Sequence, residues 1–343
     1  MITFKRSVNG KHALFACFLI FISCMAAGCK RAPEAVTRTD FVLDTVATVT
    51  IYAQEDRDKA EEILDSAFSE IRRYEKLFST EIEGSDVMRI NNAEGAKTFV
   101  SPETAELIDI AVKYSRLSDG AFDITIRPVS KLWDFKDPEA VPPDGKEIKK
   151  ALKHVGYENI ILDREDKSVI LSDSEAEIDL GGIAKGYIAD RIKELLVEKG
   201  VSSAIINLGG NVLLVGSKPG NIPFKVGIEK PFSGEQMIKI LDISDVSMVT
   251  SGNYQRYFIY KDRLYHHILD TGTGYPIESA LNSVTVLTEH SVDGDALSTA
   301  FFCLGREGSS ALMEKLKEQG IEIKGLYFID DKDHIEVEYV NAP

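Results

Sequence analysis

The chain predicts an α+β fold, with mixed or antiparallel sheets and helices packed against them. Strand-like and helical segments are interspersed without the strict alternation that a doubly wound parallel sheet requires. The strand-like runs are short, many and rich in β-branched residues, and they crowd the second half of the chain from Asn159 onward. The helical patterns are fewer and strongly amphipathic. No internal repeat or low-complexity tract is present.

The first element is an export signal. Lys5, Arg6 and Lys11 form a basic start, and Ala13 to Cys29 carries no charge. That run is short for a membrane span and suited to a signal core. Ala26-Ala27-Gly28-Cys29 resembles a bacterial lipoprotein cleavage box, so residues 1–28 are expected to leave and Cys29 to be lipidated. The remaining 315 residues would carry a formal charge of −18 in place of −15. Residues 29–40 read as a lipidated tether and 41–343 as the body, placing it outside the cytoplasm on a bacterial membrane.

Within the body, Val42, Val46, Val49 and Ile51 predict one strand over Phe41–Tyr52. Asp56–Phe78 predicts a helix, with Ile63, Leu64, Ala67, Phe68, Ile71, Tyr74 and Leu77 at three-to-four spacing. Ser101-Pro102-Glu103 opens a second helix that runs to about Leu117, and Asp144 caps a third. Asp134–Lys146, with three prolines, is the best internal boundary. Strands are expected at Asn159–Leu162, Ser168–Leu171 and Glu177–Leu180. Further strands fall at Ser203–Asn207, Val212–Gly216, Phe224–Glu229, Met237–Ile243, Tyr254–Tyr260 and Leu264–Leu269. Helices over Asp293–Leu304 and Glu307–Gln319 precede strands Ile323–Ile329 and Ile335–Tyr339.

Composition excludes some chemistry. The acidic balance and the lack of a Lys/Arg stripe exclude nucleic acid as a partner. Cys17 and Cys24 leave with the signal, so Cys303 is the one unmodified thiol and no side-chain disulfide is expected. It lies in the apolar run Ala300–Leu304 and reads as a packing residue.

Ile178-Asp179-Leu180-Gly181-Gly182-Ile183-Ala184-Lys185-Gly186-Tyr187-Ile188-Ala189-Asp190 is the most informative stretch. A strand, two glycines and a helix start allow backbone N–H groups to approach an anion at the helix's positive end. A plain tight turn is the alternative. Neither GxxxxGK[ST] nor GxGxxG occurs, so a nucleotide phosphate would be held by a local site of dipoles, Lys185 and a metal ion. Asp295 and Thr299 lie four apart and share a helix face, where a carboxylate and a hydroxyl suit one Mg²⁺; a helix cap is the alternative. His266 and His267 end a strand that runs into the Gly-rich loop Asp270–Pro276, a position for a general base or for a half-buried hydrogen-bonder. Gly120-Ala121-Phe122-Asp123 and Ser251-Gly252-Asn253 are further loops of the kind that contact ligands.

Taken in order, GAFD, DLGGIAKGY, SGNYQRYF, HHILDTGTGYP and DALSTA resemble the ApbE-like FAD:protein FMN transferases, over nearly the whole mature chain. The resemblance implies an ApbE-like (T-fold-like) architecture. It also implies that FAD is cleaved, FMN is transferred through a phosphoester to a Ser or Thr hydroxyl of an exported flavoprotein, and AMP leaves. The implied acceptors are subunits of the NADH:quinone reductase or Rnf type. By the same resemblance Leu43, Ala121, Phe122, Asp123, Asp179, Lys185 and Ile268 fall at FAD-contacting positions. Asp295, Thr299 and the Gly182 carbonyl would hold Mg²⁺, and His267 matches the proposed base, with His266 as its alternative.

Three departures stand out: Asp270-Thr271 for Asp-Pro, Leu43-Asp44-Thr45 for Met-Gly-Thr, and Glu81 at a position near FAD where an aromatic or amide is usual. A metal-dependent FAD pyrophosphatase and a non-catalytic FAD-binding lipoprotein are the rival readings.

Overall fold

The computed structural model describes residues 35–52, 56–234 and 236–340. The expected signal and Cys29 lie outside these residues. Strands β1 (Val36–Val42) and β2 (Thr45–Ile51) lead into helix α1 (Arg57–Phe78), α2 (Asp86–Asn91), β3 (Thr98–Phe99) and α3 (Pro102–Leu117). Next come α4 (Arg127–Ser130), α5 (Gly145–Ala151), β4 (Ile160–Asp163) and β5 (Ser168–Leu171). The second half holds α6 (Ala184–Glu198), β6 (Ser203–Leu208), β7 (Asn211–Gly216), β8 (Phe224–Glu229), β9 (Met237–Ile243) and β10 (Ser247–Gly252). It ends with β11 (Tyr257–Tyr260), β12 (Arg263–His266), β13 (Leu281–Thr288), α7 (Ser291–Glu318), β14 (Ile323–Asp330) and β15 (Ile335–Val340).

The architecture is α+β. Eight strands form one sheet in the order β1-β2-β6-β7-β10-β13-β14-β15, every pairing antiparallel. Helices α1, α6 and α7 cover one face, and the main core of Ile, Leu, Val and Phe side chains fills the space between. The β8–β9 hairpin covers part of the other face, where Phe224 and Ile228 meet Leu214, Met248 and Leu287. A third, aromatic cluster joins α4 and α5 to the β11–β12 hairpin: Trp133 stacks on Phe135, and both pack against Phe258. It includes residues on both sides of the Asp134–Lys146 loop, so that loop divides nothing.

The structure departs from the sequence reading in several places. The expected strand over Phe41–Tyr52 is a hairpin that starts at Val36, so residues 36–40 of the expected tether lie in the sheet. Its turn carries Leu43 at φ 58° and Asp44 at φ 55°, a conformation that usually calls for Asn or Gly. The strain is offset by a hydrogen bond from the Leu43 N–H to Glu75 Oε1 (2.6 Å) and by ion pairs from Lys136 and Arg256 to the Asp44 carboxylate. Strands β10 and β13, both interior to the sheet, have no counterpart in the sequence reading. Their buried Ser247, Ser283, Thr285 and Thr288 break the apolar run that would have marked them.

Glu177–Leu180 is extended but joins no sheet. The break between the two C-terminal helices falls as expected: Gly305 takes φ 63°, ψ −172° and kinks α7 there.

Candidate functional site

The site is built where α6 and α7 begin. Upstream of α6, the extended segment is tied down by side chains in place of a ladder. Asn91, the last residue of α2, donates from Nδ2 to the Ile178 carbonyl (2.9 Å) and accepts the Ile178 N–H on Oδ1 (2.8 Å). The Asp179 N–H donates to the Ile124 carbonyl at 2.7 Å, which ties this segment to the Ala121–Asp123 loop. Ile178 is fully buried, so losing the clamp leaves two buried backbone groups unpaired. Asn91→Ala is expected to cost about 1–3 kcal/mol, read as a lower urea midpoint with an unchanged slope. Nothing in the sequence around Asn91 signals this role, because its partner is 87 residues away.

The turn itself is tight. Asp179 Oδ1 accepts the Gly181 N–H (2.8 Å), and the Phe122 ring lies so close under Gly182 that a Cβ there would come within 3.2 Å of it. Lys185 donates to the Gly181 carbonyl (3.1 Å). Helix α6 receives no hydrogen bond from a cap side chain of its own. Its Gly186 N–H is bonded instead to Asp295 Oδ2 of α7 at 2.8 Å. The two motifs, 109 residues apart, therefore meet.

The anion expected at the positive end of α6 is thus Asp295 itself. The N–H groups of Gly181, Ile183, Ala184, Gly186 and Tyr187 all have partners within the chain. A phosphate bound here would meet Lys185 and whatever cation Asp295 holds.

The donors fit a hard divalent cation. With Oδ2 bound to Gly186, Asp295 keeps Oδ1, and the Lys185 ammonium stands 4.0 Å from it while bonding the Gly181 carbonyl. A positive charge thus sits between this carboxylate and the Gly181 carbonyl, beside two of the residues that the sequence reading assigns to the site. One turn on, Thr299 Oγ1 lies 3.3 Å from Ser251 Oγ, which also pairs with Ser298 Oγ at 2.8 Å. Among the described residues no three His, Cys, Asp or Glu side chains cluster as a metal set. A cation here would be held by one carboxylate, one hydroxyl and a carbonyl, with water and phosphate oxygens completing the shell.

The histidines separate into two roles. His266 is buried, its ring edge-on to Phe302 at 5.7 Å, and both nitrogens are occupied: Nε2 at the Ile277 carbonyl (3.0 Å) and Nδ1 at the Ile268 N–H (3.3 Å). It is a packing residue. His267 keeps part of its surface accessible and places Nδ1 3.3 Å from the Arg256 carbonyl. A carbonyl can only accept, so Nδ1 carries the proton and Nε2 keeps its lone pair. Burial, followed by the neighbouring His266 ring and the positive charges of Arg256 and Lys185, lowers its pKa to about 3, against the pull of that hydrogen bond. His267 is neutral across the physiological range.

The other expected positions divide by what their polar atoms do. Asp123 is buried and already accepts from Thr125 N, Thr125 Oγ1 and Tyr157 N at 2.7–2.8 Å. Burial raises its pKa, and it scaffolds the loop. Ile268 packs in the core with its N–H and carbonyl taken by His266 and Ile277, so it contributes floor and no polar contact. Ala121 is half-buried beside Phe122. Exposed Glu81 pairs with Arg127 at 2.8 Å, near the same loop. Leu43 sits at the strained hairpin turn, and Arg256 joins that turn to the His267 loop by donating to the Asp44 carbonyl (3.2 Å). The thiol of Cys303 is packed inside, and burial pushes its pKa up to about 12, which excludes a thiolate nucleophile.

The ApbE family model matches residues 43–323. The chain belongs to the ApbE family. Among its relatives, the FAD:protein FMN transferase of Klebsiella pneumoniae is 40% identical over 258 residues, covering 74% of this chain and 80% of the relative. That of Treponema pallidum is 30% identical over 331 residues, covering 92% and 90%. The crystal structure of the ApbE protein from Thermotoga maritima superposes with a TM-score of 0.80 and 32% identity, over 89% of this chain and 97% of that one. ApbE membership accounts for the order of the five motifs; the hydrogen-bond geometry shows which of their polar atoms are already paired.

Proposed function

We propose that this chain transfers the FMN half of FAD to a Ser or Thr hydroxyl of a protein and releases AMP, the reaction for which its relatives are named. The observation that carries this reading is the Gly186–Asp295 bond, which brings a carboxylate and a lysine to the Gly-Gly turn, near enough to His267 for the Lys185 charge to bear on its ring. The acceptor hydroxyl attacks the phosphorus of the FMN phosphate, the bond from that phosphorus to the bridging oxygen breaks, and AMP departs with that oxygen. Nε2 of neutral His267 takes the hydroxyl proton. Lys185 meets the diphosphate, and Phe122 and Leu43 bound the space beside it. Asp295, Thr299 and the Gly182 carbonyl would hold Mg²⁺, which supplies charge neutralisation to the diphosphate when bound.

The reading extends to the cell surface. Cys29 would carry the lipid, holding the body outside the cytoplasm against a bacterial membrane, and the acceptor would be an exported subunit of the NADH:quinone reductase or Rnf type.

The test is covalent labelling. The protein is mixed with FAD, Mg²⁺ and such an acceptor domain, and flavin fluorescence is read on the acceptor after denaturing electrophoresis. Labelled acceptor with stoichiometric AMP is expected. FMN and AMP without label would replace transfer by hydrolysis; FAD retained unchanged would leave a binding protein.

A further inference from the structure

Helices α6 and α7 cap each other. Asp190, one turn beyond Gly186 on α6, accepts the Ser291 N–H on Oδ1 (2.8 Å) and the Val292 N–H on Oδ2 (2.9 Å). Those are the first two N–H groups of α7, whose N-cap residue, His290, makes no side-chain cap bond. In return Asp295, one turn beyond Ser291 on α7, caps α6 through Gly186. Each helix thus supplies from its second turn the cap that the other lacks.

The crossing has no slack. A Cβ on Gly186 would fall 2.3 Å from the Ser291 carbonyl oxygen and 2.7 Å from Val292 Cα, so the backbones touch. Both carboxylates are more than nine-tenths buried. Ser291 is held further by Ser247 Oγ (2.9 Å) and Asn211 Oδ1 (2.7 Å). Two caps on either side of a backbone contact fix both the rotation of α7 about its axis and its position along it. Those two variables decide where Asp295 Oδ1 and Thr299 Oγ1 point.

We propose that Asp190 is a positioning residue for cation binding: by gripping the start of α7 it sets the geometry of Asp295 and Thr299, while touching neither flavin, cation nor acceptor. The inference rests on the reading that Asp295 and Thr299 hold the divalent ion. It gives a role to a buried carboxylate that the transfer chemistry leaves unused.

Mn²⁺ is the probe, its binding to the purified full chain followed by the paramagnetic signal of the free ion. Asp190→Asn keeps the volume but offers one acceptor in place of two. It is expected to bind Mn²⁺ on the order of tenfold to a hundredfold more weakly, with FAD affinity in EDTA unchanged. In the labelling reaction its deficit should appear as a raised Mg²⁺ requirement, and the rate should recover at saturating metal. Asp295→Ala is the reference and should lose Mn²⁺ binding. Wild-type Mn²⁺ affinity in Asp190→Asn, beside loss in Asp295→Ala, overturns the positioning role and leaves the cation site standing. Wild-type affinity in Asp295→Ala removes the cation site and this inference with it. An Asp190→Asn chain that does not fold also overturns the proposal, because the carboxylate would then be a requirement of the fold.

Discussion

Asp295→Ala is expected to lower FMN transfer by three orders of magnitude or more, on the order of 4 kcal/mol of lost transition-state stabilisation. The size follows from two losses at once. The carboxylate whose Oδ1 faces Lys185 goes, and with it the charged ligand proposed for the cation that would neutralise the diphosphate. The Gly186 N–H also loses its buried acceptor, which costs about 1–3 kcal/mol of stability. Transfer is measured at saturating FAD and acceptor, with a urea curve on the same sample to separate the two losses. Asp295→Asn keeps an acceptor for Gly186 and should regain most of the stability, with little of the rate. Full-rate labelling by Asp295→Ala in EDTA would remove the metal from the reaction.

His267→Gln is expected to slow transfer by about 10²–10⁴-fold, while FAD binding changes little. Because the His267 pKa lies near 3, its protonation should not shape the activity profile of the wild type between pH 6 and 8. An acid limb near pH 6.5 that disappears in His267→Gln would contradict so depressed a pKa. The stability effect has a definite sign. The folded-state pKa is depressed below the unfolded value of about 6.5, so the folded state resists protonation. This residue's contribution is complete above pH 6.5 and is lost as pH falls from there toward 3. Urea midpoints of wild type and His267→Gln should therefore shift in favour of the variant between pH 7 and pH 5.

Much of the fold is written in local patterns. Helix α1 shows its buried stripe from Ile63 to Phe78, Ser101-Pro102 announces α3, and Gly305 marks the kink in α7. Strands fail to show where burial is polar. Ser251 on β10 is spent on Ser298 and Thr299, and Thr250 on Thr285, so these strands look like loops in one dimension. The Leu43-Asp44 turn lacks the Gly or Asn that would reveal it, because tertiary bonds from Glu75, Lys136 and Arg256 offset its strain.

The site divides the same way. The motifs name Lys185, Asp295, Thr299 and His267, since the proposed chemistry needs those side chains whatever surrounds them. Asn91 acts through a partner 87 residues away and leaves no local trace, and Arg256 and Asp190, although they stand inside motifs, act through partners 212 and 101 residues away that no motif names. Asp123 stands in a motif for the opposite reason: its carboxylate is consumed inside its own loop and by Tyr157.

The Arg256 strap from the first hairpin to the histidine loop has a thermodynamic corollary. The proposed flavin site draws on the earliest strand turn, the middle of the chain and the last long helix, so no fragment short of nearly the entire domain would form it. Occupancy must then be linked to global unfolding rather than to local breathing. Flavin at a hundred times its dissociation constant should raise the unfolding free energy by about 2.7 kcal/mol and slow amide exchange in sheet and helices alike.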